Sequence, residues 1–267
     1  MPTAAVNGIQ LGYEIAGRGD WVVLIGGYTM TKEAWGSQVG ALAREFQVLT
    51  FDNRGVGEST VPGDPFTIAD MAADTVALMD FLDIKAAHIF GVSMGGLIGQ
   101  VLALDYPGRV KKLVLGCTTH GGRHAVQPEK EVMEILAKAA DPGVPREEAY
   151  MMRAQVVFAP AFLEKEKDRL QMLMRQSLAH WPTPRGAAGQ MAALSRFNVR
   201  HRLGEIRCPT LVITGAQDRM MPPENSRLLA EAIPGARLEI LEGAGHSFFL
   251  EKPEEVNRIL RDFFLAS

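Results

Sequence analysis

Short apolar runs alternate along this chain with segments patterned like helices. Uninterrupted apolar runs of this length are typical of strands buried on both faces of a sheet. Their alternation with helices predicts an α/β fold, in which helices cover both faces of a mostly parallel sheet. The predicted strands are residues 21–25, 46–51, 87–90, 110–115, 210–214 and 237–241, and the predicted helices between and after them are 37–45, 67–82, 94–104, 224–232 and 253–264.

Local signals at turns and helix ends support this assignment. Asn7-Gly8 is typical of a two-residue hairpin, because both central positions of that turn need a positive φ. It predicts an antiparallel edge for the sheet. Thr67 and Asp70 form a capping pair at the start of one helix, and Pro253 is suited to the first position of the last helix.

Residues 120–202 interrupt the alternation. They contain no convincing strand, hold six of the thirteen methionines, and carry 13 Lys and Arg against 9 Asp and Glu. Such an insertion predicts a helical cap or lid over the edge of the sheet, between two parts of an α/β core at 1–119 and 203–267. A plain helical subdomain is the alternative. The helices of the insertion are predicted at 129–140, 146–157, 165–178 and 185–195.

The composition argues against two classes of partner. A net charge of −3, from 28 Lys and Arg against 31 Asp and Glu, provides no basic field for nucleic acid. No stretch approaches the roughly 20 apolar residues of a membrane span. The first residues, MPTAAVNGIQ, also lack the charged and then apolar order of a signal peptide.

The two cysteines favour a reducing compartment. Cys117 is expected at the end of one parallel strand and Cys208 at the start of another, which would hold them roughly 20 Å apart. That separation exceeds the reach of a disulfide. The sequence also lacks an Asn-X-Ser/Thr site, so a cytoplasmic location is the expectation.

The segment Gly91-Val-Ser93-Met-Gly95 lies between a predicted strand and a predicted helix. A serine there sits on a tight turn that only small neighbours permit. Its hydroxyl projects at the carboxyl end of the sheet, and the amides that follow face the helix N-terminus. Ser93 is therefore the candidate nucleophile, and a glycine-rich turn with an idle serine is the alternative.

A serine nucleophile needs a base that is oriented by an acid. In this chain order the acid follows a late strand and the histidine comes last. Asp218 follows the strand at 210–214, and His246 follows the strand at 237–241. The other five histidines all precede Asp218, and residues 116–123, after an earlier strand that could supply the acid, contain no carboxylate.

The tetrahedral intermediate of acyl transfer needs backbone donors aimed at its oxyanion. The N–H of Met94, next after the nucleophile, is one candidate for this oxyanion hole. The N–H of Tyr28 is the other, because Gly26-Gly27 before it lets the backbone approach closely. The ring of Tyr28 is also a candidate for packing at the strand end.

No cofactor and no metal are expected. The chain lacks a complete dinucleotide fingerprint and a phosphate loop, and its His, Cys and carboxylate residues show no metal-ligand spacing. His88 and His201 are interpreted as structural. His120 and His124 follow a strand at the rim of the sheet, so a substrate-lining role stays open for them.

These motifs resemble the α/β-hydrolase superfamily over nearly the whole chain, and most of all its carboxylesterase and 3-oxoadipate enol-lactonase branch. The resemblance implies an eight-stranded sheet, a lid after the sixth strand, and a triad of Ser93, Asp218 and His246. Most members have His-Gly where this chain has Gly26-Gly27. The segments that carry the resemblance are 49–59, 90–100, 215–222 and 243–246.

The leading functional prediction is a cofactor-free serine hydrolase of carboxylic esters that forms an acyl-enzyme. An enol-lactonase acting on an acidic substrate is the second enzyme interpretation, and the basic excess of residues 120–202 is its only hint. A haloperoxidase or perhydrolase-like activity and a small-molecule receptor on the same fold also remain open. The expected partner is a small-molecule ester or lactone, and the sequence leaves the oligomeric state and the ester specificity undetermined.

Overall fold

An eight-stranded sheet forms the centre of the computed structural model, which describes residues 2–266. Its strands are β1 (Thr3–Val6), β2 (Ile9–Gly17), β3 (Asp20–Ile25), β4 (Phe46–Phe51), β5 (Ala87–Val92), β6 (Val110–Gly116), β7 (Thr210–Gly215) and β8 (Arg237–Leu241). They lie in the order β1-β2-β4-β3-β5-β6-β7-β8. The pairs β1–β2 and β2–β4 are antiparallel and all others are parallel. The predicted α/β class and its antiparallel edge are confirmed.

Eleven α-helices occur among residues 2–266. They are α1 (Gly36–Leu42), α2 (Ile68–Phe81), α3 (Met94–Asp105), α4 (Lys130–Ala139), α5 (Arg146–Val157), α6 (Pro160–Lys165), α7 (Lys167–Ala179), α8 (Pro184–Ser195), α9 (Pro223–Ala232), α10 (Phe248–Glu251) and α11 (Pro253–Leu265). The sequence pattern does not predict the short helices α6 and α10. None of the eleven is long and apolar enough to cross a membrane.

The core consists of two apolar clusters on opposite faces of the sheet. Val23 and Ile25 of β3 pack in the cluster that includes α2, α3 and α9, whereas Val22 and Leu24 pack in the cluster that includes α1, α10 and α11. This division follows from the strand period of two, which sends successive side chains to opposite faces. A strand that is apolar at every position is therefore buried on both sides, as its sequence predicts.

The predicted turn and helix cap both form. Asn7 and Gly8 have φ values of 49° and 74°, as the hairpin between β1 and β2 requires. The Thr67 hydroxyl accepts a hydrogen bond from the Asp70 N–H at 3.2 Å, and the Asp70 carboxylate accepts one from the Thr67 N–H at 2.7 Å. This reciprocal pair begins α2 where the sequence predicts it.

Helices α4 to α8 all fall between β6 and β7, within the insertion predicted at residues 120–202. Among the described residues this insertion has no strand, and its one bridge pairs Gly121 with Asn198 near its two ends. The helix predicted at 165–178 begins two residues later, at Lys167, and a separate helix precedes it from Pro160. Proline at the first helical position starts that extra turn.

His88 is a buried histidine of β5 on the side of the sheet away from the strand carboxyl ends. It stacks on Phe264 with the ring centroids 4.9 Å apart and meets the edge of Phe46. Burial lowers the pKa of His88 to about 4; Lys111 acts in the same direction and Asp20 opposes it. The folded protein therefore holds this imidazole neutral.

We expect His88 to contribute to acid denaturation. Its pKa is depressed on folding, so its stabilising effect is complete above the ordinary value of 6.5 and is lost as the pH falls towards about 4. The loss amounts to about 3 kcal/mol. Urea unfolding of the wild type and of His88→Phe between pH 7 and pH 4 should show a shallower loss in the variant. Parallel pH profiles for the two proteins would contradict this account.

Candidate active site

Ser93 occupies the sharp turn between β5 and α3 with φ = 52° and ψ = −115°. A positive φ strains any residue other than glycine, at about 1–3 kcal/mol, and persists only where the surroundings enforce it. Three hydrogen bonds of the Ser93 backbone hold this conformation. The Ser93 N–H donates to Gly116 O at 2.8 Å, and the Ser93 carbonyl accepts from Gly96 N–H at 2.9 Å and from the Thr118 hydroxyl at 2.8 Å. The side chain is left partly exposed at the carboxyl end of the sheet.

Two glycines make this turn sterically feasible. A Cβ on Gly91 would lie 2.1 Å from Gly95 O, and a Cβ on Gly95 would lie 2.0 Å from Ile25 O. These neighbours are backbone atoms of the turn and of β3, so they cannot swing aside. The spacing of the Gly-Val-Ser-Met-Gly segment is thus a packing requirement, as its sequence interpretation supposes.

Asp218 and His246 meet at the ends of β7 and β8. His246 Nδ1 lies 2.8 Å from Asp218 Oδ2, and Asp218 and His246 are only 4% and 8% exposed. The second oxygen, Oδ1, accepts from the N–H groups of Met220 and Met221 at 2.9 and 2.7 Å. The carboxylate is therefore fixed in orientation and aimed at the imidazole.

This pairing sets the chemistry of His246. Burial disfavours the imidazolium, but the Asp218 carboxylate outweighs it and raises the pKa of His246 well above its ordinary value. With Nδ1 bonded to Asp218, Nε2 is the ring nitrogen left to exchange a proton with a reacting group. The pair has the arrangement of a base with its orienting acid.

The loop after β3 runs beside the nucleophile. A Cβ on Gly27 would lie 3.2 Å from Ser93 Cβ and 3.8 Å from Ser93 Oγ. Among residues 2–266, neither the Tyr28 N–H nor the Met94 N–H has a hydrogen-bond acceptor. Two unused backbone donors thus flank Ser93, at the positions predicted for the oxyanion hole.

Cys117 belongs to the same site, although from the sequence it is expected only at the end of a strand, out of disulfide reach of Cys208. It directly follows β6 with φ = 41°, is 1% exposed, and is a free thiol, as is Cys208. Its sulfur, an Asp218 oxygen and a His246 nitrogen all lie within 4.8 Å of one another. Burial raises the pKa of the Cys117 thiol, which keeps it neutral against the imidazole. The sequence holds one indication that Cys117 lies near the site. Cys117 follows β6, a strand whose end could have carried the acid that orients the histidine.

These three donors are also the set among the described residues that is close enough to hold a metal ion. Their spacing in the chain gives no hint of it, because they come from three different loops. His246 Nδ1 and Asp218 Oδ2 already bond each other, so these two atoms are not free to bind an ion. The arrangement therefore fits a proton-transfer pair better than a resident metal.

The insertion contacts the loop after β3 through Gln190 of α8. The fully buried Gln190 side chain accepts from the Thr29 N–H at 2.8 Å and donates to Arg54 O at 2.9 Å. Thr29 has a positive φ of 56°, so this contact holds a strained residue directly after Tyr28. The sequence offers no signal for Gln190, because its partners lie far away along the chain.

The insertion also contacts the loop that carries His246. The Ser247 N–H donates to Val157 O, the last residue of α5, at 2.8 Å. The buried Glu251 carboxylate accepts from Gly245 N–H at 2.9 Å and from Ala159 N–H at 3.0 Å. The histidine loop and the α5–α6 connection are therefore held as one unit.

The two rim histidines are not brought to this cluster. His120 is buried and its Nδ1 lies 2.7 Å from Gly121 O, whereas His124 is exposed beside Arg123. Within residues 2–266 neither one hydrogen-bonds to Ser93, Asp218 or His246. Their substrate-lining role stays a prediction without a contact to support it.

An open, mostly parallel sheet with a serine on a strand–turn–helix elbow, followed in chain order by an acid and a histidine, defines the class of α/β hydrolases. Residues 20–253 match the family described as the alpha/beta hydrolase fold. The chain belongs to this family and is a hydrolase.

Individual relatives extend over the whole chain. A protein of Azorhizobium caulinodans named as a carbamate hydrolase, RutD, is 32% identical over 265 residues, covering 98% of each chain. A protein of Mycobacterium tuberculosis named as a non-heme bromoperoxidase, BpoC, is 35% identical over 266 residues, or 97% of this chain and 98% of the relative. The crystal structure of the enol-lactonase from Burkholderia xenovorans superposes with a TM-score of 0.87 at 31% identity, covering 99% of this chain and 100% of that one.

We expect Gly95→Ala to destabilise the protein by at least about 2 kcal/mol, because the added Cβ would meet the Ile25 carbonyl. Gly40→Ala is the matched control. Gly40 lies in α1, and a Cβ added there would meet nothing within 4 Å beyond its chain neighbours and its own helix backbone, so alanine should stabilise by about 0.5–1 kcal/mol. Urea unfolding of both variants measures the difference, and equal stabilities would contradict the close approach.

Proposed function

We propose that the protein is a carboxylesterase-type serine hydrolase in which Ser93 is the nucleophile, His246 the general base and Asp218 the residue that orients it. The observation that carries the proposal is the buried His246–Asp218 pair, 2.8 Å apart, on the two strand ends that follow the serine elbow in the sheet. A histidine held this way by a carboxylate is what activates a serine hydroxyl.

In the proposed acylation step, Ser93 Oγ attacks the acyl carbon of the ester and its proton passes to His246 Nε2. The N–H groups of Tyr28 and Met94 stabilise the oxyanion, each worth roughly 3 kcal/mol in sites of this kind. The tetrahedral intermediate then collapses, the ester C–O bond breaks, and His246 gives its proton to the departing alcohol.

In the proposed deacylation step, water attacks the acyl carbon bonded to Ser93. His246 takes a proton from this water, and the second tetrahedral intermediate expels Ser93, which recovers its proton from His246. The products are a carboxylic acid and an alcohol, and no cofactor takes part. The neutral imidazole is the active form, so the rate should rise with pH as His246 loses its proton.

The insertion at residues 120–202 acts as the lid in this proposal. Its contacts through Gln190 and Val157 reach the loops on both sides of Ser93. Six methionines give it flexible apolar side chains, which suit a pocket that accepts several acyl groups.

A lactonase acting on an acidic substrate is the second candidate. Two observations favour it: the basic excess of the insertion, and the similarity to an enol-lactonase over the full chain. Ring opening uses the same steps, since a lactone is an internal ester whose alcohol stays attached to the acyl group.

The proposal predicts turnover of p-nitrophenyl esters from acetate to decanoate and its loss in Ser93→Ala. We expect kcat to fall by at least about 10⁴-fold, because the nucleophile is removed while the surrounding site is kept. The unfolding midpoint should stay near that of the wild type. Ser195→Ala, an exposed serine of α8, is the matched control and should remain active.

Two results would redirect the assignment. Full ester turnover by purified Ser93→Ala would show that another residue is the nucleophile. A folded wild type that opens an enol-lactone but leaves every acyclic ester intact would favour the lactonase.

A further inference from the structure

Arg153 on α5 is the one partly buried arginine among residues 2–266 that has no carboxylate within 4.0 Å. Burying a charge without a counter-ion is unfavourable, so a functional role such as binding an anionic ligand is expected for this arginine. The five other partly buried arginines, each with a carboxylate partner, are Arg54, Arg109, Arg169, Arg202 and Arg219.

Helix α5 lies over the two loops that carry the acid and the histidine. Its last residue, Val157, bonds to Ser247, and Gln155 O accepts from the Arg219 guanidinium at 3.4 Å. Arg153 is four residues before Val157, so it lies one turn earlier on the same face of the helix.

The charge of Arg153 also influences Tyr28, in the loop after β3. Burial raises the pKa of the Tyr28 hydroxyl, and the Arg153 charge partly offsets that shift. Tyr28 belongs to the loop that passes beside Ser93, whereas the α5 contacts reach the loops of Asp218 and His246. The α5 contacts therefore place Arg153 about one helical turn from the backbone that bonds the histidine loop.

Protein contacts hold the Arg153 guanidinium but leave most of its N–H donors without an acceptor. Its central carbon lies 4.8 Å from the centre of the Trp181 ring, and Nη2 donates to Ala139 O at 3.3 Å. The cation–π contact and this hydrogen bond hold the group, and its other N–H donors have no acceptor among the described residues. A planar, oriented and unpaired guanidinium is suited to bind a carboxylate through two parallel hydrogen bonds.

We propose that Arg153 is the binding site for a carboxylate of the substrate, so that the enzyme prefers esters or lactones that carry a second, negatively charged group. The proposal rests on the ester-hydrolase function proposed above and specifies its substrate class. In this arrangement Arg153 determines specificity and does not contact the reacting atoms.

Matched substrate pairs test the proposal. Monomethyl glutarate and methyl glutaramate differ only in a terminal carboxylate against a neutral amide of the same shape, and they probe the acyl side. The acetate esters of glycolate and glycolamide probe the alcohol side. In the wild type, kcat/KM for the charged member of at least one pair should exceed that of the neutral member about 10- to 100-fold, as expected for a charge-assisted hydrogen bond.

Three variants attribute the preference to Arg153. Arg153→Met should abolish it, mainly by raising KM for the charged ester, because the contact is remote from the reacting atoms. Arg153→Lys should keep part of the preference, since the positive charge remains but lysine cannot form two parallel hydrogen bonds to a carboxylate. Arg175→Met, which removes an exposed arginine of α7, should keep it in full.

Equal kcat/KM within both pairs, or a preference that survives in Arg153→Met, would overturn the carboxylate site and leave the ester hydrolase standing. If none of these esters is turned over, the proposed function itself is contradicted.

Calorimetric binding of the glutarate pair to Ser93→Ala then tests the carboxylate site independently of turnover. Tighter binding of the charged member that is lost on adding Arg153→Met supports it, and equal or absent binding overturns it.

Discussion

The site depends on the close approach of three backbone segments, β3, the turn after β5, and the first turn of α3. A Cβ on Gly95 would meet the Ile25 carbonyl at 2.0 Å, so only glycine lets these segments come together. Within this arrangement Ser93 has φ = 52°, and its side chain is left partly exposed at the carboxyl end of the sheet. The same contact brings the loop after β3, with its unused N–H of Tyr28, alongside the serine.

The parallel sheet supplies the other residues of the site by topology. The strands β5, β6, β7 and β8 are consecutive neighbours, and their carboxyl ends carry Ser93, Cys117, Asp218 and His246 in that order. The insertion then joins loops that the sheet leaves separate. Gln190 holds the loop after β3, and Glu251 connects Gly245 to Ala159. Glu251 is buried, and this burial raises the pKa of its carboxyl group.

Features of the fold could be predicted from the sequence wherever the interactions that determine them are local. The Asn7-Gly8 turn, the Thr67–Asp70 cap and the apolar strands could be predicted, because each depends on neighbours in the chain. Asp218 and His246 could be selected from their order after strands, and the structure does bring them together. Their catalytic roles remain our proposal.

The sequence was insufficient where an interaction joins distant segments. Cys117 could be placed at a strand end, but its contact with His246 depends on how β6 and β8 lie in the sheet. The unpaired state of Arg153 depends on where carboxylates of other elements end up, which no local pattern encodes. The short helices α6 and α10 have only six and four residues, too few for a periodic pattern.

Covalent labelling with a fluorophosphonate, followed by intact-mass measurement and peptide mapping, tests whether Ser93 is an activated nucleophile. We expect one adduct per chain, on the peptide that contains Ser93, with labelling strongly slowed in His246→Ala because the base is absent. A folded wild type that stays unlabelled, or one labelled on another residue, would contradict the assignment of Ser93 as an activated nucleophile.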